Sequence, residues 1–157
     1  LDYLIVDMPP GTGDIQLTLS QSSPLTGAVV VTTPQDIALI DAKKGLKMFE
    51  KVNVPLLGIV ENMSVFICPC CGEVTHIFGE GGAKRMSEQY GVPMLGELPL
   101  SPAIREAADS GRPTVAAEPE SAAAKMYRAI AMKIAGSIAK LGKDYTARMP
   151  TISVKND

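Results

Sequence analysis

The stretch that most constrains this chain is its opening one, Leu4-Ile5-Val6-Asp7-Met8-Pro9-Pro10-Gly11-Thr12-Gly13-Asp14. Three β-favouring residues run directly into an aspartate, without the apolar–polar alternation of a half-exposed strand. Such a run predicts a strand covered on both faces, as in parallel sheets, and the Pro-Pro-Gly turn after it delivers the carboxylate into a loop. Open α/β sheets bind their ligands at such strand ends. The expected class is therefore α/β, a mostly parallel sheet flanked by helices.

These residue types suit phosphate chemistry. A strand-tip aspartate, Asp7, can hold Mg²⁺ through water, and Gly11 can bring a backbone N–H against a terminal phosphate with no side chain in the way. The plainer reading is that Asp7 caps a turn. Asp14, three residues after Gly11, is placed to cap the next helix.

As a whole the stretch resembles the Walker B and switch II segment, DxPPGTGD, of the Mrp/ApbC iron–sulfur carrier ATPases, relatives of MinD and of the nitrogenase iron protein. The resemblance implies a MinD-like P-loop NTPase fold with a deviant Walker A loop. It also implies ATP hydrolysis, with Asp7 on the Mg²⁺ side and Gly11 near the terminal phosphate as catalytic and nucleotide-binding residues. No G-x-x-x-x-G-K-[ST] loop occurs in the sequence; Gly79-Glu80-Gly81-Gly82-Ala83-Lys84 has its lysine one place early and alanine where the second glycine must stand. The family carries its lysine-rich loop, switch I and about half its sheet before the point where this chain begins. The chain is accordingly expected to be the C-terminal part of an ATPase domain and inactive alone.

Downstream, residues 14–21 predict a helix broken by Pro24 and Gly27, and Ala28 to Thr32 predicts a strand. Thr33 reads as an N-cap, with Pro34 at the first helical position and Asp36 at the third. Leu39, Ala42, Leu46 and Phe49 recur at spacings of three and four, so this helix packs on the sheet. Its lysines, Lys43, Lys44, Lys47 and Lys51, read as a solvated face. A further strand, residues 56–60, ends in Glu61-Asn62-Met63. The amide of Asn62 can donate to and accept from an adenine edge, or it can cap the following turn; position alone does not separate the two. The family shares G-I-V-E-N-M-S and its relatives set an asparagine against adenine after this strand. The resemblance thereby assigns Asn62 to the nucleotide.

The second informative element is Phe66-Ile67-Cys68-Pro69-Cys70-Cys71-Gly72. In C-P-x-C-G the proline stiffens the turn, the glycine lets the chain reverse, and the outer cysteines can face one metal. Residues 65–67 and 74–78 are expected to pair as a short hairpin with this knuckle at its tip. A tetrahedral site or an iron–sulfur cluster usually needs four protein ligands, and Cys68 and Cys71 supply two. A twofold dimer with knuckles face to face supplies four thiolates. The rival is a monomeric zinc site recruiting Cys70 and His76, although adjacent Cys70 and Cys71 are awkward donors to one ion. The family carries a CPxC motif here, followed by I-F-G-x-G-G, matching residues 77–82. That resemblance implies a labile [4Fe-4S] cluster bridging two subunits through Cys68 and Cys71, and its transfer to apo iron–sulfur proteins. Cys70 falls at the variable position and takes no ligand role.

Ala83, Met86 and Tyr90 line one face of a predicted helix stopped by Gly91, and residues 94–98 read as a strand. A helix from Ser101 and Pro102 follows, and Arg105 matches the family pattern P-L-x-P-x-I-R-E-A-x-D-x-G-x-P without an assigned duty. The final helix, about 119–141, carries a stripe of Ala123, Met126, Tyr127, Ile130, Ile134, Ile138 and Leu141 opposite Lys125, Arg128, Lys133 and Lys140, and reads as cover for the sheet rather than a membrane-surface helix. Residues 1–142 are expected to form one domain portion, with the knuckle at 63–79, and 143–157 a loosely ordered tail.

With 46% hydrophobic residues, 157 residues suffice for one core. A net charge of -2 gives no electrostatic footprint for nucleic acid, and no apolar run reaches membrane-spanning length. Three cysteines confined to one knuckle suit a metal site in a reducing compartment, so a cytoplasmic setting is expected, without membrane or nucleic-acid partners. Two alternatives stand beside the carrier reading. One is a non-enzymatic zinc-knuckle association module; the other is a MinD/ParA-like positioning ATPase, against which the knuckle and the lack of a basic surface bias argue.

Overall fold

The computed structural model describes residues 2–9 and 14–141. Among these, three parallel strands form the central sheet in the order β1 (Ala28–Thr32), β2 (Leu56–Glu61), β5 (Met94–Glu97). β1 pairs with β2 from Ala28 opposite Leu56 to Thr32 opposite Glu61, with an irregularity between Ala28 and Val29, and Glu61 in turn faces Glu97. The three carboxyl ends therefore lie side by side.

Alternation along the strands sends successive side chains to opposite faces, each covered by helices. On one face α2 (Asp36–Lys51) and α3 (Gly82–Tyr90) bring Leu39, Ala42, Leu46, Ala83 and Met86 onto Val30 and Ile59. On the other, α6 (Ala122–Lys140) lays Ile130, Tyr127 and Ile134 on Val60, Leu95 and Val29. Burying side chains of this size stabilises by roughly 1.5–3 kcal/mol each. Three further helices lie at the periphery: α1 (Asp14–Ser22), α4 (Pro102–Asp109) and the short α5 (Thr114–Ala117). Helices on both faces of a parallel sheet are the expected α/β arrangement.

Several local expectations need correction. The opening run Leu4-Ile5-Val6 is not a buried strand: residues 2–9 are irregular, with Leu4 79% and Ile5 88% exposed. An apolar run becomes a parallel strand only when another strand supplies its hydrogen bonds, and among the described residues β1 pairs with β2 alone. Thr33 is not the N-cap of α2; that place is held by Gln35, whose carbonyl accepts the first helical bond from Leu39 N at 3.0 Å. The Thr33 hydroxyl instead donates to Gln35 Oε1. Within the α6 stripe Met126 is exposed, and Lys133 is not simply solvated, because its Nζ donates to Leu95 O at 2.7 Å along β5. Ser121 caps α6 by accepting from Ala124 N at 3.1 Å. The tail 143–157 lies outside the described residues.

Candidate functional site

The cysteine hairpin grows directly from the carboxyl end of β2. β3 (Phe66–Ile67) and β4 (Val74–Thr75) pair antiparallel, Phe66 opposite Thr75 and Ile67 opposite Val74, inside the limits expected from sequence. The turn between them is closed by Cys68 N donating to Glu73 O at 2.9 Å and Gly72 N donating to Cys68 O at 2.8 Å. Gly72 takes φ +75°, a left-handed conformation that a side chain disfavours. The glycine of C-P-x-C-G thus takes the reversing role that the sequence suggests.

The knuckle also favours negative charge on one of its sulfurs. Backbone N–H groups of Cys71 and of Cys70 donate to the Cys68 sulfur, and the Cys71 thiol adds to them. Donors converging on sulfur favour thiolate over thiol, so the Cys68 thiol is held below the usual cysteine value, with partial burial opposing. Cys68 is half-buried, and Cys70 and Cys71 are exposed. His76 has a structural occupation: Nδ1 lies 3.2 Å from Ser64 O, and Nε2 lies 3.9 Å from Glu80 Oε1. Among the described residues no group of three or more His, Cys, Asp or Glu side chains converges as a metal site.

Around the cysteines the hairpin surface is apolar. Ile67 and its cross-strand partner Val74 are 51% and 57% exposed, and Ile77 is 53% exposed. Each is too open to contribute much to the core of one chain.

Asn62 stands at the β2 tip, half-buried, its backbone N donating to Thr32 O at 2.7 Å and so joining the tips of β1 and β2. Its Oδ1 accepts from Met63 N at 3.0 Å, which is the turn-capping role in part, and Met63 itself has φ +56°. The side-chain N–H groups of an asparagine so held can still donate. Asp7 lies on the exposed segment 2–9, not at a strand end; that segment is tied to α1 by Gln16 Nε2 donating to Pro9 O at 2.6 Å. Gly11 lies outside the described residues. The structure therefore brings Asn62 and the Cys68/Cys71 knuckle to one end of β2, and leaves Asp7 on the exposed segment 2–9.

A further buried residue, with no role assigned from sequence, immediately precedes Asn62 at the end of β2. Glu61 is 2% exposed, and its Oε2 accepts from Ala83 N at 2.6 Å. Helix α3 needs this, since its N-cap is Gly81 and offers no side-chain acceptor. The signal was present: a carboxylate ending an otherwise apolar strand, and a helix starting on Gly-Gly with no Ser, Thr, Asp or Asn to cap it. Gly82 is required by close approach, because a Cβ there would meet Leu39 Cδ1 at 2.7 Å and Pro34 O at 2.9 Å.

The chain is similar to several known proteins. An "Iron-sulfur cluster carrier protein" of Escherichia coli is 62% identical over 138 residues, 88% of this chain and 37% of that protein. The "Iron-sulfur cluster transfer protein NUBPL" of Mus musculus is 58% identical over 134 residues, 85% of this chain and 42% of that protein. The chain thus spans less than half the length of these relatives. Among solved structures, a nucleotide-binding protein of Archaeoglobus fulgidus in complex with ADP superposes with a TM-score of 0.66 at 42% identity, covering 77% of this chain and 49% of that one. The cell division ATPase MinD of Pyrococcus furiosus does so with 0.56 at 30% identity, covering 71% and 43%. Residues 1–135 match the ParA family described as the NUBPL iron-transfer P-loop NTPases, and with a parallel sheet, a strand-tip asparagine and a cysteine knuckle in place, the chain belongs to that family.

Proposed function

We propose that the protein is an ATP-dependent carrier that holds a [4Fe-4S] cluster between the Cys68/Cys71 knuckles of two copies and passes it to apo iron–sulfur proteins. The observation that carries this reading is the knuckle. It offers two thiols on a preformed turn with N–H donors aimed at one sulfur, no convergent group of three or more His, Cys, Asp or Glu side chains among the described residues, and an exposed apolar surround at Ile67, Val74 and Ile77. Two ligands in one chain and four in a cluster call for a second copy, and apolar flanks give that copy something to bury. A cluster held on one half-buried and one exposed thiol of a surface hairpin is also one that can be given away.

Nucleotide enters through Asn62 at the base, with Asp7 and Gly11 assigned to Mg²⁺ and the terminal phosphate by their motif. A carboxylate oxygen has the right hardness for Mg²⁺, which would neutralise phosphate charge there. Asn62 lies two residues past Val60 in the core and is fixed by Thr32, so this chain's own contribution to nucleotide binding is to present its amide from a rigid tip.

Anaerobic reconstitution of the protein with iron and sulfide tests the reading, compared with a Cys68→Ala, Cys71→Ala double variant. A brown dimer with about four irons per two chains, lost in the double variant and kept in Cys70→Ser, is the expected result. A colourless protein that retains zinc overturns it in favour of a structural knuckle.

A further inference from the structure

The cysteine hairpin is held to the β2 tip by both of its legs. The outgoing leg follows Glu61 directly and is laced to the segment after β5: Ser64 N donates to Leu98 O at 3.0 Å, Leu98 N to Glu61 O at 2.9 Å, and Leu100 N to Val65 O at 2.8 Å. The returning leg comes back past Ser64, where His76 Nδ1 lies 3.2 Å from Ser64 O, and enters α3 at Gly82. There the loop is closed by Glu61 Oε2 and Ala83 N, 22 residues apart in sequence and 2.6 Å apart in space. Both partners are buried, Ala83 at 0% exposure, so water does not compete for this bond.

Glu61 is also the residue before Asn62. Its backbone carbonyl faces β5, its side chain faces α3, and its carboxyl neighbour in sequence is the amide offered to the nucleotide. Any shift of the β2 tip on nucleotide binding is a shift of Glu61, and the buried bond passes that shift to the start of α3. Helix α3 cannot slide away to absorb it, because Gly82 is wedged against Leu39 and the Pro34 carbonyl and Met86 is locked in the core. The most exposed part of the closed loop is the hairpin with its cysteines.

We propose that Glu61 is a positioning residue that transmits nucleotide occupancy at the β2 tip to the cysteine hairpin through its bond to Ala83. This rests on the carrier reading above. Glu61 touches neither cluster nor nucleotide; it regulates how firmly the hairpin presents Cys68 and Cys71.

The test uses the full-length protein loaded with cluster, with cluster release to an iron chelator followed by visible absorbance, with and without Mg-ATP. Wild type is expected to change its release rate by about fivefold or more on ATP addition, the scale of an ordinary coupling between sites. Glu61→Ala is expected to respond by less than about twofold while loading iron and binding ATP as wild type does. Glu61→Gln, which keeps an acceptor for Ala83 N, restores the response. A full ATP response in Glu61→Ala overturns the inference and leaves the carrier reading intact. Loss of cluster loading in Glu61→Ala overturns it as well, by showing a merely structural part. No response in wild type overturns the coupling itself. If Glu61→Ala does not fold, hydrogen exchange on wild type decides: protection of the Ala83 amide that changes with Mg-ATP supports the relay, and unchanged protection ends it.

Discussion

The cysteine hairpin and the opening segment 2–9 are both short, rich in β-favouring residues and exposed, yet they are held in different ways. The hairpin carries its own antiparallel pair, a turn closed by two backbone bonds, and further bonds from Ser64, Val65 and His76 to its supports. The opening segment has three consecutive apolar residues and no strand partner among the described residues. An antiparallel hairpin finds its partner within ten residues, whereas a parallel strand must find one across a crossover. The difference is one of partners, not of propensity.

The largest expected effect sharpens that contrast with one chemistry in two places. Ile59 at the centre of β2 has 0% exposure, and Ile5 has 88%. Ile59→Ala is expected to cost about 2–5 kcal/mol in denaturant unfolding, through lost burial and an unfilled cavity. Ile5→Ala is expected to stay within about 0.5 kcal/mol. A loss above about 2 kcal/mol for Ile5→Ala would show that the opening segment is packed in solution and would erase the contrast.

A second comparison sets the hairpin against the sheet domain with a matched backbone strain. Gly72 in the knuckle has φ +75° and Gly91 at the end of α3 has φ +63°, and an added Cβ meets nothing within 4 Å at either. Alanine therefore costs mainly the left-handed penalty, about 1–2 kcal/mol at each. Gly91→Ala should lower global stability by that amount, because α3 is part of the core. Gly72→Ala should lose amide protection only at Cys68 and Gly72 in hydrogen exchange, with the global transition unmoved. Equal global losses would mean that the hairpin unfolds with the sheet rather than before it.

These cases also show which parts of the molecule sequence alone reveals. β1, β2, α2 and the hairpin were legible because their signals are local: a β-branched run, a heptad-like stripe, a proline and glycine at fixed offsets. Thr33 was misread as a cap because its hydroxyl found the Gln35 side chain instead of a backbone N–H, a choice between two near neighbours that spacing does not settle. The partner of Glu61 is not legible locally, because it lies 22 residues away with the whole cysteine hairpin between them. Cys68 and Cys71 are candidate ligands by motif; what the structure adds is the set of N–H groups that favour the Cys68 thiolate.

The smallest expected effect lies in those N–H groups. They make the folded Cys68 thiol more acidic than the same residue in the unfolded chain, so the folded form binds its proton less tightly. The sign follows from linkage: a lowered folded value contributes stability that is present above the unfolded cysteine value and is lost as pH falls through the folded one. In metal-free, fully reduced protein, iodoacetamide should therefore modify Cys68 at a lower midpoint pH than it does in the urea-unfolded chain, since only the thiolate reacts. Peptide mass analysis separates Cys68 from Cys70 and Cys71 if digestion is followed by fragmentation between them. Gly72→Ala, by disturbing the turn that aims the N–H groups of Cys70 and Cys71, should move the Cys68 midpoint back toward the unfolded one. If Cys68 titrates identically in folded and unfolded protein, the hairpin is held together without favouring negative charge on Cys68, and its advantage over the opening segment is one of backbone pairing alone.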